Sequence, residues 1–138
     1  MLYTNNYIEK LLGIKGVILK NIEENDNNIT ITFKLEVKEH TCPCCGAITT
    51  RIHDYRVQTI KEVPMFGKHT YFKYHKRRYV CNNCSKRFYE NADFLPKYHR
   101  MTSRLVSYIV TKMRNIYSMT SIAKECNVSV PTVTRVFN

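Results

Sequence analysis

The sequence predicts an α+β chain: an N-terminal helix plus β-hairpin, a four-cysteine ribbon, then an all-α bundle. Three observations predict it. Apolar residues recur at helical spacing near the start and again after residue 102. Strict alternation marks strands between those stretches, and two CxxC pairs bracket the middle. The expected divisions are residues 1–41, 42–95 and 96–138.

In "NNYIEKLLGI", Tyr7, Ile8, Leu11 and Leu12 share one helical face. Asn5 or Asn6 is the expected cap, and Gly13 or Gly16 the stop. "VILKNIEE" reads as a strand, and "ENDNN" as a turn. "ITITFKLEV" puts Ile29, Ile31, Phe33, Leu35 and Val37 on one face, so it pairs with its predecessor as a hairpin. "TTRIHDYRVQTI" is rich in strand formers, "PMFGK" reads as a turn, and "HTYFKYHKRRYVC" as a long strand. "NADFLPKYHRM", interrupted by Pro96, is the expected linker.

Cys42 and Cys45 form one CxxC and Cys81 and Cys84 a second, with 35 residues between. Two thiolates three positions apart on a tight turn can face one ion, and two such knuckles complete a tetrahedral sulfur site. The long gap suits a ribbon with strands between the knuckles, and Gly46 suits a left-handed turn after the first. One structural zinc ion fits four thiolates best, and a closed site leaves no open position for catalysis. Redox thiols are the bland alternative, but neither CxxC opens a helix. Cys44 is a bystander, and His40, His53, His69 and His75 lack the paired spacing of finger ligands. A 43% hydrophobic chain of 138 residues has a modest core, so a metal staple has a role in folding.

The chain carries 22 Lys/Arg against 11 Asp/Glu, net +11. Residues 1–41 are net −1, residues 42–100 net +8 and residues 101–138 net +4. Such a surface attracts phosphate backbones, so the expected partner is double-stranded DNA. The basic aromatic strand offers Lys73, His75, Lys76, Arg77 and Arg78, and Lys86 and Arg87 follow. Its aromatic residues pack the ribbon. No run of about 18 apolar residues exists. No basic segment followed by an apolar stretch opens the chain. Together with six cysteines this predicts a reducing, cytoplasmic, DNA-associated protein of a prokaryotic-type cell.

After residue 102, Leu105, Ile109 and Met113 recur four apart with Val106, Val110 and Ile116 beside them, capped by Thr102 or Ser103. "SMTSIAKECNVSVPTVTRVFN" then reads as a helix–turn–helix. Ile122, Ala123, Cys126, Val128, Val133 and Val136 take its buried positions. Asn127 supplies the left-handed turn, Ser129 caps the second helix, and Pro131 lies in its first turn. That helix exposes Pro131, Thr132, Thr134 and Arg135 to a major groove. The chain ends where helices commonly run further, so a truncation is expected.

The stretches "CPCCG", "RIHDYR", "VPMFGK", "KRRYVCNNCSKRFYE" and "TSIAKECNVSVPTVTRV" together resemble the N-terminal part of ISL-three family insertion-sequence transposases. The resemblance implies a four-cysteine zinc domain and a helix–turn–helix that bind the transposon's terminal repeats. It also implies a catalytic domain with an Asp-Asp-Glu triad and divalent metal, and this chain is expected to depart from the family pattern by lacking it. After Cys42 the only acids are Asp54, Glu62, Glu90, Asp93 and Glu125, scattered, so no catalytic residue is assigned and this chain is expected to bind DNA without cutting it. Expected protein partners are a second copy or full-length transposase. The alternatives are a free-standing transcription regulator with the same parts and a zinc-stapled protein-interaction adaptor.

Overall fold

The structure is a computed structural model that describes residues 2–95, 100–115 and 117–137. Ile116 and Pro96, invoked above for the third helix and the linker, lie outside the described residues. The chain is α+β. Helix α1 spans Leu2–Leu12, and strands β1 and β2 span Val17–Glu24 and Asn28–Leu35. Short β3 and β4 are His40–Thr41 and Ile48–Thr49, and long β5 and β6 are Ile52–Met65 and Lys68–Val80. Strand β7 is Arg87–Tyr89; helices α2, α3 and α4 are Ser103–Arg114, Met119–Cys126 and Val130–Phe137.

Helix α1 starts at Leu2, ahead of the start expected at Asn5 or Asn6. Gly13 does stop it: at φ 68° its N–H donates to the Glu9 carbonyl. The β1–β2 turn is held by the Asn25 side chain, which accepts from the N–H groups of Asn27 and Asn28 at 2.9 and 2.8 Å. Along β2, Ile29, Ile31 and Phe33 are buried as the alternation predicts, but Val37 lies past the strand end and is exposed. Pro64 falls inside β5, the last strand in the sheet order, and an edge strand tolerates a missing N–H. The turn expected over "PMFGK" is therefore only Phe66–Gly67.

The main sheet has the order β1-β2-β6-β5, with β7 antiparallel to β6. Strands β2 and β6 run in the same direction. The Asn27 carbonyl takes the His69 N–H at one end, and the Leu35 carbonyl takes Arg77 Nη2 at the other. On β6, Thr70, Phe72 and Tyr74 are buried, then Arg77 and Tyr79. The period slips by one at His75–Lys76, the signature of a bulge.

The chain folds as two compact units woven from non-consecutive segments. The first takes residues 1–21, 32–59 and 73–93; the second takes 22–31, 60–72 and 94–138. Strands of the main sheet contribute to both. The first unit's core includes Leu12, Ile14, Val17, Phe33, Tyr74 and Tyr79, with Phe33 stacked on Tyr74 at 5.4 Å. In the second unit Leu105, Ile109, Ile122, Ala123, Cys126 and Val133 form one cluster, with Met113, Val128 and Val136 packed partly buried against it. Helix α2 is capped by Thr102, whose Oγ1 accepts from the Leu105 N–H at 3.1 Å. Ser118 caps α3 in the same way.

Candidate metal centre and nucleic-acid interface

The two cysteine knuckles are built alike. In the first, the Cys42 N–H donates to the Ala47 carbonyl and the Gly46 N–H to the Cys42 carbonyl, at 2.8 and 3.0 Å. In the second, the Cys81 N–H donates to the Lys86 carbonyl and the Ser85 N–H to the Cys81 carbonyl, at 2.9 and 3.0 Å. Each turn needs a left-handed residue at the same place: Gly46 at φ 78° and Ser85 at φ 62°. The N–H groups of Cys44 and Asn83 point at the sulfurs of Cys42 and Cys81, both at 3.4 Å.

These turns bring the sulfurs of Cys42, Cys45, Cys81 and Cys84 within 4.8 Å of one another. The Cys42–Cys84 and Cys45–Cys81 separations are 3.5 and 3.4 Å, far longer than a disulfide. A tetrahedron with zinc–sulfur bonds of about 2.3 Å has edges of roughly 3.8 Å, so the four donors fit that ion. The knuckle amides favour thiolates. The Ala47 N–H, then Asn83 and Cys81, lower Cys45 to about 6, and the Cys45 N–H does most to lower Cys42. At Cys84 the Lys86 N–H acts in the same direction. Burial and the three neighbouring sulfurs outweigh it and raise that thiol to about 12. A divalent cation among four sulfurs removes this mutual repulsion. Cys44 is exposed and outside the cluster, and among the described residues no histidine joins it.

The basic residues separate into three groups. Arg77 is a correction to the sequence expectation: its side chain is 1% exposed and enclosed by partners. Nε donates to Tyr55 Oη at 3.3 Å, Nη1 to Glu90 Oε1 at 3.4 Å and Nη2 to the Leu35 carbonyl at 2.8 Å. Glu90 is equally buried, and its Oε2 accepts from Tyr74 Oη and the Arg77 N–H at 2.5 and 3.0 Å. The slip in β6 turns Arg77 inward, so no phosphate reaches it. Arg78 faces outward but places its fork on Asp54, at 2.8 and 2.6 Å, and is neutralised there.

The second group is accessible. Lys73, Lys86 and Arg87 are exposed, and Lys76 lies over the Tyr89 ring at 4.7 Å. His75 is half-buried, and its pKa is lowered first by desolvation, then by Lys20 and Lys34. Those lysines sit on β1 and β2, in the sheet order β1-β2-β6, and the sequence reading missed them. Their local segment is net negative, so only strand order could reveal that they join Lys73 and His75.

The third group lies on α4. Asn127 is left-handed at φ 57° and closes α3, as expected. Ser129 Oγ accepts from the Thr132 N–H at 3.2 Å, as a cap should. Pro131 and Arg135 are exposed, and Arg135 Nη2 donates to Thr132 Oγ1 at 3.2 Å. Thr134 Oγ1 donates to the Val130 carbonyl at 3.2 Å, so Thr134 is held against its own helix. Cys126 is a buried core thiol, raised by desolvation to about 11. No described helix is long and apolar enough to cross a membrane.

A closed four-thiolate centre in one unit and a capped three-helix cluster in the other define a zinc-stapled DNA-binding protein. Two family models then cover most of the sequence. The zinc-finger of transposase IS204/IS1001/IS1096/IS1165 matches residues 38–84, and the helix–turn–helix domain of transposase family ISL3 matches residues 90–138. The chain belongs to the ISL3 transposase family, and the ion its ribbon holds is a structural zinc. The transposase for insertion sequence element IS1001 of Bordetella parapertussis is 27% identical over 101 residues, which is 71% of this chain and 25% of that protein. The chain thus spans about a quarter of the length of that curated relative. No solved structure matches it.

Proposed function

We propose that this chain binds the terminal repeats of its insertion sequence, as the DNA-binding portion of an Asp-Asp-Glu type transposase. It neither cuts nor joins strands itself. The carrying observation is one chain that combines a zinc ribbon and a helix–turn–helix of one transposase family with a net charge of +11. In this reading Cys42, Cys45, Cys81 and Cys84 hold zinc as a folding staple. With four protein ligands and no open position, the ion supplies structure and no chemistry.

Sequence is read by the α4 surface, where Arg135 reaches a guanine edge and Pro131, Thr132 and Thr134 lie against the groove wall. Lys73, His75, Lys76, Lys86 and Arg87 hold phosphates, joined by Lys20 and Lys34. A gel shift with the inverted repeats that flank the coding sequence tests this reading. Tight binding to those repeats over unrelated duplex at physiological salt is the expected result, and equal affinity for both overturns it. Footprints confined to promoter palindromes, with a stable dimer, point instead to a free-standing regulator.

A further inference from the structure

We propose that the β5–β6 hairpin is a wing of the helical unit, and that Phe66 at its tip is an apolar wedge. It enters a DNA groove and partly unstacks a base step. The inference rests on the DNA-binding reading above and adds a contact that neither family model assigns a role.

The turn itself is the first observation. Phe66 and Gly67 alone join β5 to β6, and both are left-handed, at φ 54° and 70°. A two-residue hairpin with two positive φ angles favours Asn-Gly. Gly67 fits, and a side chain there would meet nothing within 4 Å. Phe66 does not fit, because a bulky residue at positive φ is a steric outlier. It gains no burial in return, being 87% exposed. Backbone and solvation both disfavour phenylalanine at this tip, so folding gives no reason for it. Strain retained at an exposed position points to a partner.

The second observation is the tether. Lys61 Nζ donates to the Asn127 carbonyl at 2.6 Å, and Asn127 Nδ2 donates to Tyr71 Oη. Glu62 Oε1 accepts from Thr102 Oγ1 at 2.7 Å, and the Thr102 N–H donates to the Lys61 carbonyl at 3.1 Å. Asn127 is the turn between α3 and α4, and Thr102 caps α2. Both strands of the hairpin are therefore bonded to the ends of the helices, and the tip is carried rigidly with the reading helix. Phe66 lies five residues beyond both Lys61 and Tyr71, a reach of about 16 Å in strand geometry. That is on the order of one groove width.

Charge identifies the mode of contact. Lys68, the cation beside the turn, is bonded to Glu24 at 2.5 Å. The tip thus offers a ring and not a phosphate grip. Phenylalanine is among the side chains that proteins insert between base steps.

The test uses the 138-residue zinc-loaded chain and a duplex enriched from random sequence by that chain. Phe66→Asn relieves the turn, so melting temperature should rise by about 3 °C or more. DNA affinity should fall about fivefold or more, the low end for loss of one aromatic stacking contact. Phe66→Trp should keep the affinity. A 2-aminopurine probe in the duplex should brighten with the native chain and stay dark with Phe66→Asn. Raised stability with unchanged affinity overturns the wedge, as does a photo-crosslinker at position 66 that labels protein and never DNA. Arg135→Ala runs alongside. If it alone weakens binding, the wedge fails and the DNA reading stands; if neither variant does, both fail.

Discussion

At the scale of single residues, neighbouring positions in one motif have opposite fates. Cys44 stands between two zinc ligands yet lies outside the cluster. Cys44→Ser should keep one zinc per chain by native mass spectrometry. Cys84→Ser should lose it together with the near-ultraviolet signal of the tyrosines packed in that unit. Retention of full zinc by Cys84→Ser would remove it from the ligand set. Lys76 and Arg77 differ in the same way. Arg77→Ala leaves Glu90 buried without its counter-charge and should cost about 3–5 kcal/mol in denaturant unfolding. Lys76→Ala, on the surface, should change stability by less than about 0.5 kcal/mol and weaken DNA binding instead. If Arg77→Ala is as stable as the parent, the buried network is not what holds β6 to Glu90.

At the scale of elements, the caps around α2, α3 and α4 were legible, and the start of α1 and the strand edges less so. Ser129, Asn127 and Thr102 act through groups two to four positions away, so their roles follow from local chemistry. The inward face of β6 was not legible past Tyr74, because the slip at His75–Lys76 shifts every later side chain to the opposite face. That is why Arg77 read as a phosphate contact. The same strand yields a pH prediction. Desolvation, Lys20 and Lys34 hold His75 below its ordinary 6.5, so at neutral pH it is uncharged. In the proposed complex a phosphate at His75 favours the protonated ring, so binding there would take up a proton. Affinity should therefore rise as pH falls from about 7.5 towards 6. His75→Gln should flatten that dependence, and an unchanged pH profile would place His75 away from phosphate.

At the scale of the whole molecule, charge is the relevant quantity. Counterion release makes the logarithm of affinity fall with the logarithm of salt by about 0.9 per phosphate neutralised. Replacing Lys20, Lys34 and Lys73 together by Gln should flatten that slope by roughly 2.7 and weaken all sequences alike. Arg135→Ala should leave most of the slope and blur one base position. A triple variant with an unaltered slope would show that this face of the sheet does not meet DNA.

What the sequence determined alone is whatever depends on short spacing. The i, i+3 cysteines form knuckles, the period-2 run forms β2, and the capped helical pattern around Asn127 forms α3 and α4. What only the tertiary structure decided is which charged and apolar side chains end up as neighbours. Strand order gathers Lys20, Lys34 and Lys73 from separate strands, and a slip in β6 takes Arg77 out of reach. The carbonyl of Asn127 meets Lys61 from 66 positions earlier, which fixes the Phe66 hairpin to the helices. The reason is physical: turn and helix preferences act within about four residues, whereas the environment of a side chain is set by whatever strand or helix packs against it.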